Sequence, residues 1–125
     1  MADAVQFIYR AEAAVDQAPV SMADFLAGSN AAAVRIEPGE DARALLPHLG
    51  QLALVEVAFP VFGDGRGYSA ARILREEGYT GELRASGDVL VDQIAMMRRC
   101  GFDSFAPAAP LDEADVAAAF ATWPQ

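Results

Sequence analysis

The chain has no lysine; its nine basic residues are all arginine. That excludes Schiff-base chemistry on a lysine and a phosphate loop built around one. It has a single cysteine, Cys100, and a single histidine, His48. One thiol cannot make an intrachain disulfide, a cysteine-rich zinc site or an iron–sulfur cluster held by one chain, so no metal site and no cofactor is expected. Long apolar runs are missing as well. Glu56 interrupts the most apolar stretch, "LALVEVAFPVF", which falls short of the roughly 18 residues of a membrane span. The opening "MADAVQFIYRAEAAV" shows no basic stretch leading into an apolar block and cleavage site, so a cytoplasmic location is the expectation.

What is present is a chain of 125 residues, 54% hydrophobic and 22% charged, the size and composition of one globular domain. Its formal charge of −9 argues against a general affinity for nucleic acid or anionic membranes. The charge is uneven. Between Asp64 and Arg99 six arginines balance six acids, whereas the rest of the chain holds three arginines against twelve acids. The central segment is therefore relatively electropositive.

From residue 32 onward, strand-like runs alternate with helical patterns. Strands are expected at Ala33–Glu37, Ala53–Phe59, Glu82–Ser86 and Ser104–Ala106, with helices over Ala42–Leu46, Ser69–Glu77, Leu90–Arg99 and Asp112–Trp123. Asp41 and Asp88 are placed as helix caps, Pro47 as a helix end, and Gly78 and Gly101 as helix stops. In residues 1–31, "QFIY" reads as an edge strand and "VSMADFLAG" as a short helix capped by Ser21. Four successive β-α units imply a parallel sheet. Its strands alternate, with Arg35, Glu37, Glu56, Glu82 and Arg84 between apolar neighbours, whereas a sheet buried on both faces reads as continuously apolar. The expected fold is α/β with helices mainly on one face, like half of a β/α barrel. The alternative is a flavodoxin-like three-layer order with those charges paired under the first thirty residues.

Between the second strand and its helix stands "GDGRG", Gly63–Gly67. Three readings of it stay open. As a dinucleotide fingerprint it fits loosely: from Gly65, "GRGYSA" requires Ala70 as the third small residue. As a tight turn it uses glycine's tolerance of positive φ. As an anion site it joins the N–H groups of Gly65, Gly67 and Ser69 at a helix start to Arg66 in the turn and Arg84 on the next strand. Asp64 and Asp88 are the candidate general bases if there is catalysis. Arg72, Arg75, Glu76 and Glu77 read as surface charges at helical spacing. Cys100 reads as a buried structural thiol and His48 as a packing or surface residue.

The stretch Phe59–Phe105, with "DGRGYSAARILRE", "GYTGELRASGDVL", "DQ" and "RRCGFD", resembles the signature of a bacterial family, domain-of-unknown-function family 934. Where members often have a lysine before the turn, this chain has Val61. The family's members are often labelled as oxidoreductases involved in sulfite reduction, so the resemblance implies a place in sulfur assimilation, with sulfite reductase or phosphoadenylylsulfate reductase as partners. Six-electron reduction of sulfite needs haem-type and iron–sulfur centres with several thiolate ligands, which one cysteine does not supply. The expectation is a non-catalytic accessory protein that binds a small oxyanion or a partner, or forms a homodimer. The alternative is a small oxidoreductase or enzyme subunit, with Arg66 and Arg84 clamping a sulfur oxyanion and Asp64 or Asp88 as base.

Overall fold

The computed structural model describes residues 5–61 and 65–122, with side chains as far as Ala119. Six strands form one sheet: β1 (Phe7–Ile8), β2 (Val20–Ser21), β3 (Ala33–Ile36), β4 (Leu54–Phe59), β5 (Glu82–Gly87) and β6 (Ser104–Pro107). Their spatial order is β1-β6-β5-β4-β3-β2. Neighbours from β2 to β6 run parallel, and β1 joins β6 antiparallel. The helices are α1 (Met22–Leu26), α2 (Gly65–Glu76), α3 (Val91–Cys100) and α4 (Glu113–Thr122), with a 3₁₀ segment over Ala42–Gln51. The fold is thus α/β with an open, mostly parallel sheet.

Strand order follows chain order from β2 to β6, so right-handed crossovers carry every connecting helix to the same face. The core lies there. Val34, Ile36, Val55, Val57, Phe59, Leu83, Ala85 and Phe105 pack with Ala71 and Leu74 of α2 and Ile94 and Met97 of α3. Because side chains alternate along a strand, the intervening residues point to the other face. Register then sets Arg35 beside Glu56, Glu56 beside Arg84, and Arg84 beside Ser104. The centre of this row is buried, with Glu56 4% exposed and Arg84 6%, as is Glu82 at 0%, while Arg35 is partly exposed.

Residues 5–19 cover that row as a strap. The strap starts as β1 beyond β6 and meets β5 at Val15. Its end feeds β2 at the opposite edge of the sheet. The Val15 N–H donates to Glu82 Oε1 at 2.6 Å, and the Val15 carbonyl accepts from Arg84 Nη2 at 3.0 Å. Arg10 Nη1 lies 3.2 Å from Glu82 Oε1. The structure therefore combines the consecutive strand order of the half-barrel expectation with the covered charges of the three-layer alternative.

Several local expectations change. Helix α2 begins at Gly65 rather than Ser69, so Gly65 and Gly67 of the glycine-rich stretch lie within the helix, while Gly63 and Asp64 lie outside the described residues. The segment after β3 is a run of 3₁₀ turns that passes through Pro47; tighter 3₁₀ hydrogen bonding, i to i+3, replaces the α-helical ladder that proline breaks. Asp88 does not cap α3, whose N-cap is Leu90 with no side-chain bond. Asp41 does cap the 3₁₀ segment, accepting from the Arg43 N–H at 2.9 Å, and Ser21 caps α1. Trp123, expected at the end of the last helix, lies outside the described residues.

Arg75 is not a surface charge. Its guanidinium donates to the carbonyls of Gly101, Tyr79 and Gly81, each at 2.9 Å, and approaches Asp103 Oδ2 at 3.3 Å. Asp103 also accepts the Leu83 N–H at 2.8 Å. This hub ties the end of α2, the start of β5 and the α3–β6 connection together at the amino edge of the sheet. Arg75→Met should cost about 3 kcal/mol, because it strips charged donors from partly buried carbonyls and leaves Asp103 without that cation. Arg72→Ala should cost under ~1 kcal/mol. Urea denaturation of both variants checks the ranking.

Burial works to raise the Glu82 pKa, but the hydrogen bonds from Ser104, the Val15 N–H and Arg84 outweigh it and hold the carboxyl below its usual value. The folded state therefore favours the carboxylate. Its contribution is full above the ordinary glutamate pKa of about 4.3 and is lost as pH falls through the lower folded value. Asp103 acts in the opposite sense, since burial raises its pKa against the pull of the Leu83 N–H, Arg75 and Arg10. Glu82→Gln should be less stable at pH 7 and should decline less steeply than the parent between about pH 5 and 2. Urea midpoints across that range test this, and parallel curves would refute the assignment.

Candidate functional site

Parallel α/β sheets place their sites at the carboxyl ends of the strands, where loops meet helix N-termini. Among the described residues, two clefts stand there. The larger, about 660 Å³, is lined by Gly39, Glu40, Asp41, Ala42 and Arg43 after β3 and by Gly65, Arg66, Ser69, Ala70 and Ile73 of α2. The smaller, about 460 Å³, lies beyond β4, β5 and β6, between Phe59, Gly87, Asp88, Leu90 and Pro110.

In the larger cleft stands the first turn of α2, whose first four backbone N–H groups have no partner within the helix. Gly65, Arg66 and Ser69 are exposed on it. Arg66 reaches across to the loop after β3. A side chain at Gly39, whose φ is +89°, would come within 3.4 Å of its Nη1. Among the described residues, the two acids that line the cleft are already engaged: Glu40 Oε1 accepts the Glu37 N–H at 2.7 Å, and Asp41 Oδ1 caps the 3₁₀ segment and lies 3.7 Å from Arg43 Nη1. An anion near α2 would thus meet Arg66, Arg43, the Ser69 hydroxyl and the helix start, with carboxylates at the margin.

The expected site residues fall into separate places. Gly65, Arg66 and Ser69 come together in the larger cleft. Asp88 lines the smaller one. Asp64 lies outside the described residues. Arg84 does not join Arg66. It stands inside β5 with its side chain on the opposite face, where Nη2 meets Glu82 Oε2 at 2.9 Å and Nη1 lies 3.7 Å from Glu56 Oε1. Alternation along the strand sends it there, and its position three residues before the end of β5 keeps it from the rim.

Gly67 serves packing rather than binding. It is buried, and its φ is not positive; a Cβ there would overlap the ring of Phe59. The glycine lets the first turn of α2 sit down on the end of β4. Sequence reading missed Arg43, the second cation of the cleft. Its place after the Asp41 cap was the available signal, because a capping residue at a strand's carboxyl end brings the following turn to the rim. Cys100 is buried, with Arg72 Nη2 at 3.6 Å from its sulfur, and His48 packs edge-on against Phe25. Among the described residues, no cluster of three or more metal-ligating side chains occurs, and no helix is long and apolar enough to cross a membrane.

Most of the remaining signature is occupied in holding the fold. Tyr79, Glu82, Arg84, Cys100 and Phe102 are buried, and the Arg98 guanidinium stacks 4.1 Å from the centre of the Tyr9 ring. Gly67→Ala should therefore destabilise by about 1–3 kcal/mol through overpacking, whereas Gly65→Ala, with open space at its Cβ position, should be neutral to stabilising. Thermal melts of the two variants test that contrast. No curated protein and no solved structure matched the chain. The family described as "Bacterial protein of unknown function (DUF934)" matches residues 33–125, nearly three quarters of the chain and every residue of both clefts, so the protein belongs to the DUF934 family.

Proposed function

We propose that this protein is a cytoplasmic, non-catalytic accessory module of assimilatory sulfite and sulfate reduction, able to form a homodimer, whose larger cleft takes a small oxyanion such as sulfite, sulfate or phosphate. The observation that carries the oxyanion reading is the convergence of Arg66, Arg43, Ser69 and the start of α2 on one cleft at the carboxyl edge of the sheet. Charged donors beside a helix start favour a compact anion. The place in sulfur assimilation rests on the family resemblance, with sulfite reductase or phosphoadenylylsulfate reductase as the partner classes. The enzymatic alternative draws less support, because the Arg66–Arg84 clamp it needs is divided between two faces of the sheet.

Binding to the folded state raises stability by mass action. At a hundredfold excess over Kd the gain is about 2.7 kcal/mol, or roughly 10 °C in melting temperature for a chain of this size. Sulfite, sulfate and phosphate should be titrated separately at constant ionic strength. Arg66→Ala should weaken the effective ligand roughly ten- to a hundredfold, the worth of a charge-assisted donor. No shift with any of the three at millimolar concentration would refute the oxyanion reading. Normal growth on sulfate of a strain lacking the gene would refute the pathway.

A further inference from the structure

We propose that the polar face of the sheet is a docking groove for an extended peptide, and that in the homodimer its occupant is the strap of the second copy, exchanged reciprocally. This rests on the homodimer part of the proposed function and is independent of its oxyanion part.

The groove reads main chain. Glu82 takes the N–H of Val15, and Arg84 gives a hydrogen bond to the carbonyl of the same residue. Any extended residue offers that pair of groups, so the contact is indifferent to which chain supplies it. The other anchors are directional in the same way. Gln6 exchanges two hydrogen bonds with the backbone of Leu111, at 2.5 and 2.9 Å, the Tyr9 N–H donates to the Asp103 carbonyl, and Arg10 lies between Glu82 and Asp103. Charge selects the strap: Arg10 faces two acids at the β6 end of the groove. None of these contacts depends on the connection to β2.

That connection is slight. Asp16, Gln17 and Ala18 are exposed and belong to no strand or helix, and Pro19 follows them. Such a segment can swing the strap onto a neighbour while every strap contact is kept, which is the condition for exchange at low cost. Closure within one chain has an effective concentration in the millimolar range. Exchange therefore competes near that protein concentration, or below it once the hinge is too short to fold back.

Ile8 and Ser104 are directly opposed on β1 and β6, so a disulfide there records which chain supplies the strap. The full chain carrying Ile8→Cys, Ser104→Cys and Cys100→Ser should be oxidised at micromolar concentration and again near ~1 mM, then run on a denaturing, non-reducing gel. The expected result is a bond within one chain when dilute and covalent dimers when concentrated. Dimers in solution whose disulfides all close within single chains would overturn exchange and leave the homodimer standing. Absence of dimers at both concentrations would overturn both. A second variant decides the matter should the first not fold. Deleting Asp16 and Gln17 removes ~7 Å of reach, and the product should be dimeric at micromolar concentration; a monomer, folded or unfolded, overturns the proposal.

Discussion

The fold depends on one row of charges, buried at its centre and partly exposed at Arg35. Arg35, Glu56, Arg84 and Ser104 stand side by side across four strands, with Glu82 bonded to Arg84 and Ser104 from the next position along β5. Buried ions are tolerable when each finds its complement, and here the complement comes from neighbouring strands and from the backbone of Val15. The row therefore specifies register. A slip of one residue in β3, β4 or β5 would turn arginine or glutamate into the aliphatic core and apolar side chains toward the strap. It also forces a cover on the sheet, since the desolvation that strengthens these pairs requires water to be kept out.

Much of this architecture was legible in the sequence, because alternation is a direct record of two unlike faces. Arg35, Glu56 and Arg84 marked the polar side, and Pro-Gly, Gly78 and Gly101 marked the breaks. The caps at Ser21 and Asp41 could be read for the same local reason. The failures were at positions where tertiary contacts decide. Asp88 has the chemistry of a cap, yet the chain after β5 turns so that Leu90 takes the position. Arg75 sits at a spacing that suits surface pairing, and the pattern does not reveal that the chain after α2 turns the carbonyls of Tyr79 and Gly81 onto it, or that the distant Gly101 carbonyl joins them.

The candidate site was half legible for a related reason. A glycine-rich stretch after a strand points to the rim, and Gly65, Arg66 and Ser69 line one cleft there. Which arginine accompanies Arg66 depends on side-chain direction and on a loop from another β-α unit. Arg84, close in the expected strand order, faces away; Arg43, from the preceding unit, faces the cleft. The glycines divide similarly between roles, with Gly65 exposed in the first turn of α2 and Gly67 beneath the helix against Phe59. The signature thus mixes residues that hold two layers together with a few that line the rim.

The strap has a consequence for how the chain is made. Its partners lie far along the sequence: Val15 bonds a residue 67 positions later, and Gln6 one 105 positions later. Such distant pairings form slowly, because the intervening chain must first be ordered. The segment synthesised early is therefore among the last to find its place. Until β5 and β6 have emerged and paired, the charged row has no cover and β1 has no strand to join. A nascent chain passes through that open-edged state at every round of translation, and its residence there is set by how fast the last β-α unit folds.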